Sequence, residues 1–369
     1  KMRQWLAAAL LAASVTPVQA ACVTTDSAVP AAHLEALARG INLAGWMDRP
    51  DAPAPNFETL KTLRAAGITH VRLPVPAERV MRRFASEATI EQQLAMVDRA
   101  VMQLVALGFS VSIDLHPGSE FSALHRSDPE AAMQAMQQAW RSLATVVDNF
   151  APDLVFAELL NEPDIDPVRW QREAERLAQF VRGLLPRTTL IVGPTNWQRA
   201  DSLPSFKPLP DRNVVYAIHF YDPMAFTHQG HWDPADPRAA IRGLPFPVRP
   251  DDPKVQSLRA QLGANGQHES LHEIDVALAQ GASGDLIAAQ LAPAVQWQQR
   301  YRVPLIINEF GVFKEAAPAD SRARWLRGVV AAAQAHCWGW THWEFDQGFG
   351  LTDRAGRLDP ALLDALLQR

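Results

Sequence analysis

Cysteine is nearly missing from this 369-residue chain: there are two, Cys22 and Cys337, so a small fold stapled by several disulfides is excluded. Basic excess is missing too, because 35 Lys and Arg stand against 40 Asp and Glu for a net charge of −5. That removes the electrostatic footprint of a nucleic-acid or anionic-membrane partner. Past the N-terminal segment there is no run of about 20 apolar residues, the length a transmembrane helix needs. Nor is there a phosphate-binding loop. The first strand-like run reads Gly40-Ile41-Asn42-Leu43-Ala44-Gly45-Trp46, which fits neither the dinucleotide spacing nor the P-loop spacing. What is present is a composition of 48% hydrophobic and 20% charged residues, enough to bury a large core and too apolar for a mainly disordered chain. The aromatic set is skewed, with 11 Trp against 3 Tyr.

Lys1-Met2-Arg3, the apolar run Trp5 to Val15 and the small-residue ending Val18-Gln19-Ala20 have the layout of a secretory signal peptide, with cleavage expected after Ala20. Residues 21–369 are then one exported domain, secreted or periplasmic, expected to be soluble and monomeric. Cys22 beside the cut raises a lipoprotein reading, which the lack of a large aliphatic residue three places before it disfavours. One bridge between Cys22 and Cys337 is open, but Cys337 falls in an apolar, strand-like run and reads rather as a buried free thiol.

Strand-like runs occur at 40–45, 68–75, 109–115, 154–161, 189–194, 213–221, 303–309 and 337–344. Between them lie segments with apolar residues three and four apart, such as 57–66, 90–107, 129–150 and 168–184, the period of a helix packed on one face. Eight alternating strand and helix units imply parallel strands with right-handed crossovers. Without a phosphate loop they favour a closed (β/α)8 TIM barrel over an open doubly wound sheet. Pro223 to Pro253, rich in Pro, Asp, His and Trp, is too long for an ordinary βα loop and reads as an insertion walling a cleft.

Polar residues gather at the C-terminal ends of these strands: Arg72, Asp114-Leu115-His116, Asn161-Glu162-Pro163, His219-Phe220-Tyr221, Asn308-Glu309-Phe310-Gly311 and Trp343-Glu344. Singly, each could be a helix cap or a satisfied core residue, but together they point to one rim. Strands four and seven face each other across a barrel of eight, so Glu162 and Glu309 are expected to oppose each other over its mouth. Two such carboxylates suit glycosidic cleavage, one protonating the leaving oxygen and the other acting as nucleophile or base. Their environments must differ, since neighbouring like charges keep one group protonated. Arg72, paired with one of them, would keep that one ionised.

On the stretches Val71-Arg72-Leu73-Pro74, Asp114-Leu115-His116, Leu160-Asn161-Glu162-Pro163, His219-Phe220-Tyr221, Asn308-Glu309-Phe310-Gly311 and Trp340-Thr341-His342-Trp343-Glu344, the chain resembles glycoside hydrolase family 5, the cellulase family of the retaining (β/α)8 clan. The resemblance runs from about Arg39 to Leu367. It implies Glu162 as acid/base, Glu309 as nucleophile, and Arg72 bonded to the nucleophile. It also implies Asn161 holding the sugar 2-hydroxyl, His116 lining the subsite of the cleaved sugar, His219 and Tyr221 flanking the two glutamates, and Trp343 as the sugar platform. Departures are Asp164 after Asn161-Glu162-Pro163 and Asn308 before Glu309, and they bear on substrate preference.

The expected partner is a polysaccharide or oligosaccharide, with β-1,4-glucan first and β-mannan, β-1,3-glucan or a self-made exopolysaccharide open. No cofactor and no metal is expected. A metal-dependent barrel hydrolase built on His116 and His219 and a carbohydrate-binding relative without catalysis are the rival readings. Trp46, Trp197 and Trp232 are candidates for further sugar platforms, whereas Trp140, Trp170, Trp297 and Trp325 fall in helical stretches and read as packing.

Overall fold

The computed structural model describes residues 24–353 and 355–368; the expected signal peptide and Cys22 lie outside the described residues. Eight parallel strands close a barrel in sequence order: β1 (Arg39–Asn42), β2 (His70–Pro76), β3 (Ser110–His116), β4 (Val155–Glu158), β5 (Leu190–Val192), β6 (Val214–Phe220), β7 (Leu305–Phe310) and β8 (Gly339–His342), with β8 pairing back onto β1. Each expected strand is found. β4, β5 and β8 are shorter than their apolar runs, because the residues beyond them leave the ladder to form the rim.

The helices begin where the chain supplies caps. Asp128 accepts from the backbone N–H of Ala131 ahead of Pro129–Val147, and Asp166 from that of Arg169 ahead of Pro167–Leu184, each with a proline in the first turn. Such a cap satisfies an otherwise orphaned donor, and proline costs nothing there because its missing N–H had no partner.

Four buried tryptophans in the helix ring explain much of the Trp excess. The indole N–H of Trp140 donates to Leu159 O, that of Trp170 to Gly193 O, that of Trp325 to Asp222 O and that of Trp297 to Phe206 O. The first three carbonyls lie just past β4, β5 and β6, where the chain has left the ladder and its carbonyls need new donors. Large apolar bodies thus fill the helix–barrel layer while their polar tips pin the strand exits.

The barrel interior is layered. Leu37, Phe156, Ile191, Val215, Ala217 and Ile306 form an apolar floor. Above it His70 bonds Ser110 and Ser112, and higher still Asn42, Arg72, Asp114, Glu158 and Asn308 make a fully buried polar layer. Between β6 and β7 the register shifts: Ile218 pairs with Ile307, but His219 pairs with Glu309. The extra residue on β7 lets two consecutive side chains reach the interior, Asn308 bonding Glu158 and Glu309 bonding Arg72.

Two expectations need correction. Cys337 is disulfide-bonded and sits in an exposed turn with φ 58°; it is not a buried thiol in a strand, because the helix Ala319–Ala335 ends just before it and β8 starts only at Gly339. The excursion after β6 is longer than Pro223 to Pro253. Helices Pro253–Ala264 and His268–Gln280 pack on each other within it, before the crossover helix Leu286–Tyr301 returns the chain to β7. No described helix is long and apolar enough to cross a membrane.

Candidate active site

Arg72 stands at the centre of the buried polar layer. Its Nε and Nη2 donate to Glu158 at 2.7 and 3.0 Å, Nη1 to Glu309 Oε1 at 2.7 Å and to Asn42 at 3.0 Å, and Nη2 to Asn161 Oδ1 at 2.8 Å. Asp114 Oδ2 lies 3.0 Å from Nη2. Burial alone would disfavour its charge, but Asp114, Glu158 and Glu309 outweigh that and hold the guanidinium firmly protonated. A planar fork of donors is the group best suited to grip several carboxylates at once.

Glu309, almost fully buried, receives two further constraints. Tyr221 donates its hydroxyl to Oε2 at 2.9 Å, and His219 Nδ1 lies 3.4 Å from the same oxygen. Burial next to the Glu309 carboxylate pushes the Tyr221 phenol well above its ordinary value, so it stays a donor. Gly311 follows because any Cβ there would collide with the backbone carbonyl of Trp343. That close approach gives the glycine of the Glu-Phe-Gly stretch a physical reason.

Glu162 lies across from Glu309 in a different environment. Its φ is 45°, in the left-handed region that non-glycine residues rarely occupy outside functional sites. Its backbone N–H donates to Gln198 Oε1 at 2.8 Å. Gln198 closes a run of three left-handed residues with Asn196 and Trp197 (φ 57°, 55° and 56° for residues 196 to 198), which turns its amide inward and leaves Trp197 51% exposed. The Glu162 carboxyl shares a 2.7 Å hydrogen bond with His219 Nδ1. Burial in the cleft pushes it up to about 7, with His116 and Arg72 opposing. His219 itself is lowered to about 4, chiefly by burial, and so is neutral.

The donor atoms of Glu162, His219 and Glu309 all lie within 4.8 Å of one another. These three are the described residues that could hold a metal ion, and His116 is not among them. Among them His219 Nδ1 lies 2.7 Å from Glu162 and 3.4 Å from Glu309, so one imidazole nitrogen sits between the two carboxyls.

His116 is half-buried, with Nδ1 2.7 Å from Asp114 Oδ2, and its ring stacks on Trp343 at 6.1 Å and 15°. Burial opposes its charge, but Asp114 outweighs it and raises the imidazole. The structure thus brings together all eight expected residues: Arg72, His116, Asn161, Glu162, His219, Tyr221, Glu309 and Trp343. Glu158, Asn42 and Gln198 were not among them, although an acid inside the apolar run Val155-Phe156-Ala157-Glu158 is a visible signal.

A cleft of about 590 Å³ runs outward from Glu162, His219 and Tyr221, lined by Trp197, Arg199, Met224, His228 and Arg238. A smaller one of about 180 Å³, lined by Trp46, Pro53, Pro55 and Gln347, opens between the loops after β1 and β8. Trp140, Trp170, Trp297 and Trp325 are buried, as expected.

Known proteins share the sequence pattern and the fold of this chain. Endoglucanase 3 of Fibrobacter succinogenes is 26% identical over 93% of the chain, which spans 54% of that relative's length. Endoglucanase C of Acetivibrio thermocellus is 25% identical over 83% of the chain and 90% of its own length. Among solved structures, Thermotoga maritima Cel5A in complex with cellobiose superposes with a TM-score of 0.69 at 23% identity, covering 90% of this chain and 98% of that one. The cellulose synthase subunit Z of Clostridioides difficile gives 0.68 at 23%, covering 89% and 99%. Residues 31–347 match the sequence model described as Cellulase (glycosyl hydrolase family 5), and the chain is therefore a glycoside hydrolase belonging to that family.

Proposed function

We propose that this chain is a retaining β-glycosidase of endo-β-1,4-glucanase type, with Glu309 as nucleophile and Glu162 as acid/base. The observation that carries the proposal is the asymmetry of the two carboxyls. Glu309 is clamped by Arg72 and Tyr221, both donors to a carboxylate. Glu162 is raised to about 7, a value at which a carboxylic acid still holds the proton a leaving oxygen needs. One oxygen of each lies within 4.8 Å of the other, an approach in keeping with the roughly 5 to 5.5 Å between the carboxyl groups of retaining enzymes.

In this reading Glu309 attacks the anomeric carbon while Glu162 protonates the departing oxygen, giving a covalent glycosyl-enzyme. Water then attacks that carbon, with Glu162 taking its proton, and Glu309 leaves. Asn161 is held by Arg72 through its Oδ1, and its amide Nδ2, 3.4 Å from His116 Nε2, is the donor that would meet the sugar 2-hydroxyl. His116 and Trp343, stacked as one flat wall, line the subsite of the cleaved sugar. Thermotoga maritima Cel5A has also been solved with mannotriose, so β-mannan is the second substrate to test. β-1,3-Glucan and an exopolysaccharide of the producing cell follow. Action outside the cytoplasm rests on the leader-like residues 1–20.

NMR of the first product formed from a soluble β-glucan tests the mechanism. Retention of the anomeric configuration is expected, and inversion overturns it. Full activity in a strong chelator is expected, since no step uses a metal.

A further inference from the structure

Two buried charges behind the barrel mouth take no part in the reaction at Glu162 and Glu309. Glu344 follows Trp343, and its carboxylate receives backbone N–H groups from its own loop: Asp346 at 3.0 Å, Gln347 at 2.9 Å and Phe349 at 3.1 Å. Arg322, on the helix Ala319–Ala335, donates to backbone carbonyls: Val312 at 3.0 Å, Phe349 at 2.9 Å and Gly350 at 2.7 Å. Three N–H donors suit the ionised form of a carboxyl. Burial lowers the guanidinium to about 10, which leaves it charged at neutral pH. Burying charge is costly, and here both charges act on the backbone of the loops that follow β7 and β8.

Phe349 is the residue held from both sides. Its N–H meets the Glu344 carboxylate and its carbonyl meets the Arg322 guanidinium, so an anion and a cation grip one backbone unit between them. Hydrogen bonds to charged groups are roughly twice as strong as neutral ones. The ring so fixed is buried and lies against four others: His228 at 5.3 Å, Phe313 at 5.5 Å, Tyr221 at 6.1 Å and the exposed Trp232 at 6.3 Å. His228 also meets Tyr221, at 5.2 Å. Phe349, His228 and Tyr221 thus close a triangle of edge-on contacts, the arrangement aromatic pairs prefer. The Tyr221 ring in turn sets where its hydroxyl lies, 2.9 Å from Glu309 Oε2.

We infer that Glu344 and Arg322 are positioning residues that act through Phe349 on Tyr221, and so on the carboxylate of Glu309. The inference rests on reading Glu309 as the nucleophile. It gives the loop after β8 a task besides presenting Trp343, which is to hold the phenol that donates to the attacking group.

The chain has three tyrosines, Tyr216, Tyr221 and Tyr301, so fluorine NMR of protein labelled with 3-fluorotyrosine resolves each, with Tyr221 assigned by Tyr221→Phe. Glu344→Gln sets an amide N–H against backbone donors. In this variant the Tyr221 resonance is expected to move while those of Tyr216 and Tyr301 stay, which shows that the fold is intact. Arg322→Lys, which keeps the charge but not the fork, serves the same test should Glu344→Gln not fold. On 2,4-dinitrophenyl β-cellobioside, kcat/KM is expected to fall about tenfold in Glu344→Gln and in Phe349→Leu, which keeps both charges and removes the ring. Either change should cost less than about twofold when introduced into Tyr221→Phe, because effects transmitted through one residue are not additive. Equal losses in both backgrounds, full activity in Phe349→Leu, or an unmoved Tyr221 resonance overturn the inference. If wild type does not hydrolyse the substrate, the glucanase reading fails instead and the fluorine spectrum alone decides: a moved Tyr221 resonance supports the hold of the two charges on Tyr221, and an unmoved one overturns it.

Discussion

Glu158 grips Arg72 through Nε at 2.7 Å and Nη2 at 3.0 Å, and this fixes the plane of the guanidinium so that Nη1 lands on Glu309. Asn308 donates to the same Glu158 carboxylate at 2.8 Å, so three donors converge on one fully buried acid. Glu158 touches no substrate in the proposed mechanism; it acts through Arg72 as a positioning residue.

Glu158→Gln is therefore expected to lower kcat by about 100-fold on an aryl cellobioside while KM changes less than threefold, because a small misplacement of a catalytic group is costly. The amide also puts an N–H where Arg72 donates, so the melting temperature should fall, as when one partner of a buried pair is removed. Unchanged kcat in a folded variant would refute the positioning role.

The value of about 7 for Glu162 sets an alkaline limb. Below it the group is protonated and can act as acid; above it kcat/KM for a substrate with a poor leaving group should decline tenfold per pH unit. On a dinitrophenyl substrate, whose departure needs no proton, that limb should be missing from kcat/KM of wild type, and Glu162→Gln should keep most of its kcat/KM there. Stability follows with a definite sign. The unfolded chain ionises this carboxyl near 4.5 and the folded one near 7, so folding stability falls as pH rises through that window. The melting temperature of Glu162→Gln relative to wild type should rise between about pH 4.5 and 7, and a pH-independent difference would remove Glu162 as the perturbed group.

The strand ends and the residues facing the mouth were legible because barrel strands, buried on both faces, read as short continuous apolar runs, and polar residues interrupt those runs. Glu309 could be placed at the end of β7, but not the register shift that brings Asn308 inside beside it. That shift is a pairing between distant strands, absent from local pattern. Glu158 was hidden by the same run that announced its strand, since an acid there finds its partner 86 residues away. Cys337 misled because its apolar neighbours belong to a helix end and a strand start with a turn between them. The helices inside the post-β6 excursion were obscured by the proline-rich stretch before them.

Trp140 pins the exit of β4, donating to Leu159 O at 2.9 Å, three residues before Glu162. Trp140→Phe keeps most of the buried aromatic bulk and removes the donor. The unpaired carbonyl should cost about 1–3 kcal/mol, read as a lower midpoint in urea with an unchanged slope. Activity at 25 °C should fall less than that of Glu158→Gln, since the backbone displaced lies behind the site. A midpoint equal to wild type would show that this hydrogen bond contributes nothing net.

Gln198 offers the sharpest separation of positioning from packing. Three consecutive left-handed residues cost roughly 1–2 kcal/mol each, and the amide they turn inward accepts the backbone N–H of Glu162 at 2.8 Å. Gln198→Met keeps length and bulk but takes that acceptor away, freeing the Glu162 backbone to leave φ 45° and carrying the acid off its line to the leaving oxygen. The loss should scale with the need for acid: about tenfold in kcat on an unactivated cello-oligosaccharide and less than twofold on a dinitrophenyl cellobioside, in keeping with the typical 10²–10⁴-fold worth of general acid catalysis. Equal losses on both substrates would mean that Gln198 supports the cleft as a whole and does not aim Glu162.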